Sequence, residues 1–260
     1  MADKTKIDWA DATWNPVTGC RHGCPYCYAN ETTRRFGGHD AGEPAFTAGG
    51  LNVLDEPMQI RRNDGRMVKA PFPFFFEPTF HRYRLEEPQH ANMPRNIFVC
   101  SMSDLFGKWV PTGWIVQVLD ACLAAPQHNY LFLTKNPGRY MELDKLALLP
   151  RKGNFWYGST TTKAGDPLFW SDKHNTFVSA EPLHGPLHAG GVLETKWVIV
   201  GAETGSRKDK QRTLREWVMN LADECHEQGV PIFMKENLVT EGVLTRGEII
   251  QKRPAEMTFY

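Results

Sequence analysis

The sequence has no excess of either charge: across 260 residues, 30 Lys and Arg meet 30 Asp and Glu, for a formal net charge of zero. Proteins that grip nucleic acid mainly through its phosphates carry a basic excess. A nucleic-acid role is therefore expected to rest on a local patch or on a small nucleotide substrate. No apolar run reaches the roughly 18 residues that cross a bilayer. The first nine residues lack the apolar core of a secretion signal, so a soluble, cytoplasmic protein with no membrane contact is expected. Repeats and low-complexity tracts are absent as well. Disorder is excluded by what is present, 41% hydrophobic residues with 8 Trp and 15 Phe.

Cysteine is also scarce, and its distribution is uneven. Of 6 cysteines, Cys20, Cys24 and Cys27 crowd together, while Cys100, Cys122 and Cys225 lie in apolar stretches and read as small buried hydrophobes. In a reducing compartment such a cluster points to a metal or iron–sulfur site rather than to disulfides.

Short apolar runs at 96–100, 130–134, 155–159, 177–180, 197–200 and 231–234 have the look of strands buried on both faces. Two earlier strands are expected at 13–18 and, despite its prolines, at 72–77. Helical faces alternate with them. Trp114, Ile115, Val118, Leu119 and Cys122 form one face; Leu214, Trp217, Val218, Leu221, Ala222 and Cys225 form another. A third helix is expected after Pro137, with Tyr140, Met141 and Leu143 or Leu146 inward. This alternation implies an α/β fold, a single parallel (β/α) barrel, partial or complete, of about six to eight strands. One domain over 1–260 is expected, with a surface excursion at about 37–70 and a C-terminal cover after about 237.

Chemistry concentrates in Cys20-Arg21-His22-Gly23-Cys24-Pro25-Tyr26-Cys27. Three thiolates at spacings of four and three can converge on one face of a cluster, with Gly19 and Gly23 letting the loop wrap. A three-thiolate set leaves one iron of a four-iron cluster without a protein ligand. The alternative is a structural zinc with His22, His39 or Cys100 as fourth ligand, although Cys-x3-Cys is an unusual spacing for zinc.

The Cys-x3-Cys-x2-Cys pattern with an aromatic before its last cysteine resembles the cluster loop of the radical S-adenosylmethionine (SAM) superfamily. That resemblance implies a 4Fe-4S cluster on Cys20, Cys24 and Cys27, in a loop after the first barrel strand. It implies that the open iron takes the amino and carboxylate groups of S-adenosylmethionine. Reductive cleavage then gives methionine and a 5′-deoxyadenosyl radical, with the electron supplied by a donor such as flavodoxin or ferredoxin. Residues 9–20, 101–106, 133–135, 179–183 and 200–205 further resemble a phage- and prophage-encoded family of compact radical SAM proteins, itself similar to spore-photoproduct-lyase-like enzymes. This implies work on a nucleoside or DNA base in phage DNA hypermodification. Isomerisation of an amino-acid-modified thymidine is within reach of that chemistry, and lyase and transferase reactions remain open. A non-catalytic zinc- or cluster-binding nucleic-acid module is the alternative.

In a parallel barrel the site is built from the residues that follow each strand. These are Ser101, Ser103 and Asp104; Thr134, Lys135 and Asn136; Ser159 and Thr160; Glu181; Glu203; and Lys235 with Glu236. Asp104 and Ser159 also suit helix N-caps. The expected cofactor-binding set is Tyr26, Glu77, Ser101, Ser103, Asp104, Lys135, Ser159 and Glu181, and the expected catalytic set is Lys135, Glu181 and Glu203. Lys135 suits the methionyl carboxylate or a substrate anion; Glu181 or Glu77 suits the ammonium or a ribose hydroxyl. The basic run at 206–212 is a solvated loop or a phosphate contact, and Arg61, Arg62, Arg66 and Lys69 form a weaker patch. Residues 71–76 are aromatic enough to stack bases but read better as a buried strand. His81, His90, His184 and His188 show no metal spacing, and residues 201–205 lack the dinucleotide-binding glycine spacing.

Overall fold

The computed structural model describes residues 1–2, 5–37, 46–47, 51–61, 64–187, 194–205 and 207–259. Along the chain come β1 (Ala12–Trp14), β2 (Val17–Thr18), α1 (Tyr28–Phe36), β3 (Phe46–Thr47), β4 (Leu51–Leu54), β5 (Gln59–Arg61), β6 (Met67–Lys69) and β7 (Thr79–His81). Then follow β8 (Asn96–Val99), α2 (Thr112–Leu123), β9 (Asn129–Thr134), α3 (Gly138–Lys145), β10 (Phe155–Thr161) and β11 (Asn175–Ala180). The last are β12 (Val198–Val200), α4 (Arg215–Glu227), β13 (Ile232–Met234) and α5 (Asn237–Thr240). Seven strands form one sheet in the order β1-β8-β9-β10-β11-β12-β13, every pair parallel. The sheet curls into a half-barrel. Among the described residues β1 and β13 do not pair. The edge of β13 is instead taken by the C-terminal stretch, where Phe233 bridges Gln251 antiparallel. Met234 N–H there donates to Ile250 O at 2.7 Å.

Parallel strands bury both faces, and here the two faces differ. Ile97, Val99, Tyr130, Phe132, Phe155 and Tyr157 pack outward on α2 and α3. Val178, Ala180, Val198, Val200, Ile232 and Met234 do the same on α4. The alternate residues Phe98, Leu131, Trp156, Phe177, Trp197, Ile199 and Phe233 point inward and meet Trp9 and Met257. Phe177 fills the centre only because β10 offers Gly158 opposite it. A Cβ there would lie 2.3 Å from the Phe177 ring.

Two expected strands are corrected. The stretch 13–18 is not one strand: Pro16 lacks the N–H a continuous ladder needs. β1 joins the main sheet, whereas β2 turns away to pair antiparallel with β7 in a four-stranded sheet, β2-β7-β4-β3. The stretch 72–77 is a turn-rich loop punctuated by Pro71, Pro73 and Pro78, with Phe75 at φ 52°. In α3 only Tyr140 and Leu143 are buried; Met141 and Leu146 face solvent. The excursion expected near 37–70 carries β3 to β6; residues 38–45, 48–50 and 62–63 of it lie outside the described residues.

Adding one methyl at the centre tests the inner packing. Gly158→Ala is expected to cost about 1–3 kcal/mol by overpacking, read as a lower denaturation midpoint. The double variant with Phe177→Leu should recover part of that loss. An unchanged midpoint in Gly158→Ala would contradict the packing of Phe177 across the sheet.

Candidate functional site

The cysteine loop is seated by backbone contacts at the carboxyl end of the parallel sheet. After β1, Asn15 Oδ1 accepts from Met102 N–H at 2.9 Å and Ser101 Oγ at 3.2 Å. Gly19 N–H donates to Met102 O at 2.9 Å, and Ser103 Oγ donates to Gly19 O at 2.6 Å. Gly19 has φ 84°, and a Cβ on it would sit 2.3 Å from Glu77 O. Only glycine fits where the loop leaves the sheet. Cys20 N–H then reaches Phe76 O at 3.1 Å, and Cys27 leads directly into α1.

All three thiols of the loop are half-buried. Burial pushes Cys20 up to about 12, and Asp104, Cys27 and Cys24 add to the rise. Burial raises Cys24 as well, opposed by the Lys135 ammonium. These are soft donors gathered where solvation of their charged form is poor, the setting in which a bound cationic core favours deprotonation. The donor set fits an iron–sulfur cluster, which takes each thiolate on a different iron. Among the described residues no three His, Cys, Asp or Glu side chains converge on a single ion.

Asp104 is the brace of this loop. It is 5% exposed, and its two oxygens accept from Phe106 N–H (3.0 Å), Thr134 Oγ1 (2.8 Å) and Lys135 N–H (3.0 Å). His22 Nε2 lies 2.7 Å from Oδ2. The hydrogen-bonding capacity of Asp104 is thus taken up by the frame of the site. Ser103 is similarly engaged. Ser159 is fully buried on the outward-facing parity of β10, where its Oγ accepts from Phe169 N–H at 2.9 Å. Thr160, half-exposed, takes the inward position that was expected of Ser159. Glu77 pairs with Arg21 of the cysteine loop at 3.2 Å.

The inner row continues one step past the strands, because the ladder does: Glu181 N–H binds Thr161 O (3.1 Å) and Lys235 N–H binds Val200 O (2.9 Å). Following the parity of Leu133, Phe177 and Phe233 therefore leads to Lys135, to Ser179 then Glu181, and to Lys235. Glu181 and Lys235 form an ion pair. The Lys135 ammonium is 3.3 Å from the Tyr26 hydroxyl and 5.3 Å from the centroid of its ring. The His184 ring meets the same tyrosine edge-on at 5.7 Å. Behind His184 stands Glu203, whose side chain is 1% exposed; its Oε2 is 3.0 Å from His184 Nε2. Arg207 donates to both Glu203 oxygens, at 2.8 and 3.0 Å. Burial would raise the Glu203 carboxyl, but hydrogen bonds from Arg207 and His184 outweigh it and hold it below its ordinary value.

Among the expected residues, then, the fold links Tyr26 with Lys135 and, through His184, with Glu203, while Glu181 pairs with Lys235. Glu77 stands against the cysteine loop at Arg21, and Ser159 takes the outward parity of its strand. His184 enters through its contact with Tyr26, which its lack of metal spacing had hidden. The basic run also changes meaning. Arg207 is committed to Glu203 and Lys210 to Glu241, while Lys208 and Arg212 are exposed. His39, Arg62, His188 and Ser206 lie outside the described residues.

Fold and site together define an α/β protein with an open, curled parallel sheet and a three-cysteine loop at its carboxyl end. Residues 4–247 match a single family, described as a protein of unknown function (DUF5131), and the chain belongs to that family. No curated protein and no solved structure matches the chain. No helix among the described residues is long and apolar enough to cross a membrane.

Two measurements check the frame. Asp104→Ala strands buried donors on Thr134, Lys135 and Phe106 and is expected to lower stability by roughly 2–4 kcal/mol, seen in chemical denaturation. For Glu203 the folded carboxyl titrates below its ordinary 4.5. Its stabilisation is therefore complete above that pH and lost as pH falls through the lower folded value. Melting temperature against pH should show this acid-side loss in the parent and a flatter profile in Glu203→Gln.

Proposed function

We propose that this protein is a radical S-adenosylmethionine enzyme acting on a nucleoside or DNA base. In this reading Cys20, Cys24 and Cys27 hold a 4Fe-4S cluster whose fourth iron is left for the cofactor. The observation that carries the reading is the placement of the three-thiol loop. It comes after β1, the first strand of the parallel sheet, and the short β2, and lies at the carboxyl end with the Lys135 ammonium beside its Tyr26. A cluster held by Cys20, Cys24 and Cys27 would supply one-electron reductive cleavage of S-adenosylmethionine and, through it, hydrogen abstraction from substrate.

The chain's own part is to bind, orient and exclude water. Lys135 presents a cation, steadied by the Tyr26 face, to an anionic group above the loop. Glu181 and Lys235 offer a paired acid and base to an ammonium or a hydroxyl on the inner row. Below them the buried aromatic layer of Trp156, Phe177, Trp197 and Phe233 keeps water from reaching the site through the sheet. Reduction falls to a small electron-transfer partner of the flavodoxin or ferredoxin kind. Phage DNA hypermodification is the setting this chemistry suits.

Anaerobic reconstitution with iron and sulfide is the test. Brown protein that cleaves S-adenosylmethionine under reduction is the expected outcome. Cys24→Ala should lose colour and cleavage together, whereas Cys122→Ala and Cys225→Ala keep both. A colourless protein holding one zinc, or loss of the cluster in folded Cys122→Ala, would overturn the assignment.

A further inference from the structure

Two exposed phenylalanines lie on neighbouring segments beside the cysteine loop. Phe36, at the end of α1, is 50% exposed, and Phe75, in the loop 71–77, is 49% exposed. The segments are neighbours because Gly37 packs directly on that loop; a Cβ on Gly37 would lie 3.3 Å from Phe75 Cα and 2.9 Å from Phe72 O. Phe75 is held at φ 52°, a region that bulky L side chains rarely occupy, and this conformation turns its ring outward. The same loop accepts Cys20 N–H at Phe76 O, which joins the segment bearing Phe75 to the thiol loop. Single exposed apolar side chains are ordinary, but two large ones on neighbouring segments make a patch.

Among the described residues, exposed arginines lie beside Phe36. The last turn of α1 carries Arg34 and Arg35 and no acid, and both are exposed. The Arg35 guanidinium sits 5.2 Å from the centroid of the Phe36 ring. Glu77, the acid in the neighbouring loop, is paired with Arg21. Exposed ring faces with arginines beside them are the parts from which sequence-tolerant single-strand binding is made: stacking takes the bases and the cations follow the phosphates.

We propose that the end of α1 and the loop 71–77 form a stacking surface for single-stranded nucleic acid, delivering the polymer past the cysteine loop. The proposal deepens the nucleic-acid side of the function given above, and moves the polymer contact from residues 207–212 to this face. A duplex fits poorly, because its base faces are already stacked on one another. An acidic electron-transfer protein is the competing occupant of a cationic surface near the thiols.

The experiment uses the full chain without cluster and a fluorescently labelled oligothymidylate, its binding followed by anisotropy against salt. The expected result is single-strand binding tighter than that of a duplex of equal length. Phe36→Ala and Phe75→Ala should each weaken it roughly ten-fold, and Phe75→Trp should retain it. Arg34→Gln with Arg35→Gln should flatten the salt dependence. Phe75→Gly removes the ring while relieving the backbone, so lost binding with an undiminished melting temperature separates stacking from misfolding. Equal binding by parent and both alanine variants would overturn the proposal. So would unchanged oligothymidylate binding combined with slower reduction of the loaded protein by flavodoxin, which would assign the face to the electron donor. Because binding is read without the cluster, failure here leaves S-adenosylmethionine cleavage intact, and failure of cleavage leaves the binding result standing.

Discussion

An irregular eight-position loop with three thiols has little reason of its own to hold one shape, and the buried carboxylate of Asp104 supplies that reason. Its Oδ2 meets the loop at His22 and the end of β9 at Lys135 N–H, while Thr134 reaches both oxygens. A carboxylate so little exposed is tolerable only when its lone pairs are occupied. Its satisfaction therefore requires loop and strand to arrive together. The Lys135 backbone and His22 share one oxygen, so the reach of the Lys135 ammonium toward Tyr26 and Cys24 is set by the same interaction that seats the loop. Chemistry that needs a cation at a fixed place beside three thiols begins from this contact.

The second constraint is the strict alternation of the strands. One parity of side chains builds an aromatic floor, and continuing that parity by two residues turns the floor into the polar row of Lys135, Glu181 and Lys235. The floor can be this dense because Gly158 yields its side-chain space to Phe177. Packing and site are thus consecutive stretches of the same residue pattern. A one-residue slip in any strand would exchange an inner charge for a helix-facing one. Ser159 and Thr160 illustrate the point at adjacent positions: the first braces Phe169, and the second faces the site.

Much of this was legible in the sequence, for physical reasons that can be named. Apolar runs between amphipathic stretches announced the parallel sheet, since only strands buried on both faces lack a polar side. The thiol loop and the strand-end charges were visible because their spacing is local. What local spacing cannot reveal is pairing across the fold. Glu203 looked like a free acid, yet Arg207 and His184 occupy it, the latter from 19 positions away. Asp104 looked like a ligand and is a brace for the same reason. Residues 72–77 read as a strand from their hydrophobicity, yet the prolines remove the donors a strand requires and Phe75 is left exposed.

That reversal bears on how a neutral chain could select a nucleic acid. The zero net charge is not a uniform absence of field; around the mouth it is the sum of local pairs, Glu203 with Arg207, Glu181 with Lys235 and Glu241 with Lys210. Paired charges cancel within a few ångströms and attract little from a distance. Long-range capture of duplex DNA is accordingly weak, and discrimination passes to contacts that act only at close range. Stacking is such a contact, since it depends on an exposed base face and scarcely on sequence. On the proposed surface Arg34 and Arg35 would need only to hold a few phosphates while Phe36 and Phe75 test whether the base faces are free. A surface built this way would prefer unpaired strands, the state in which a base face is open to stacking.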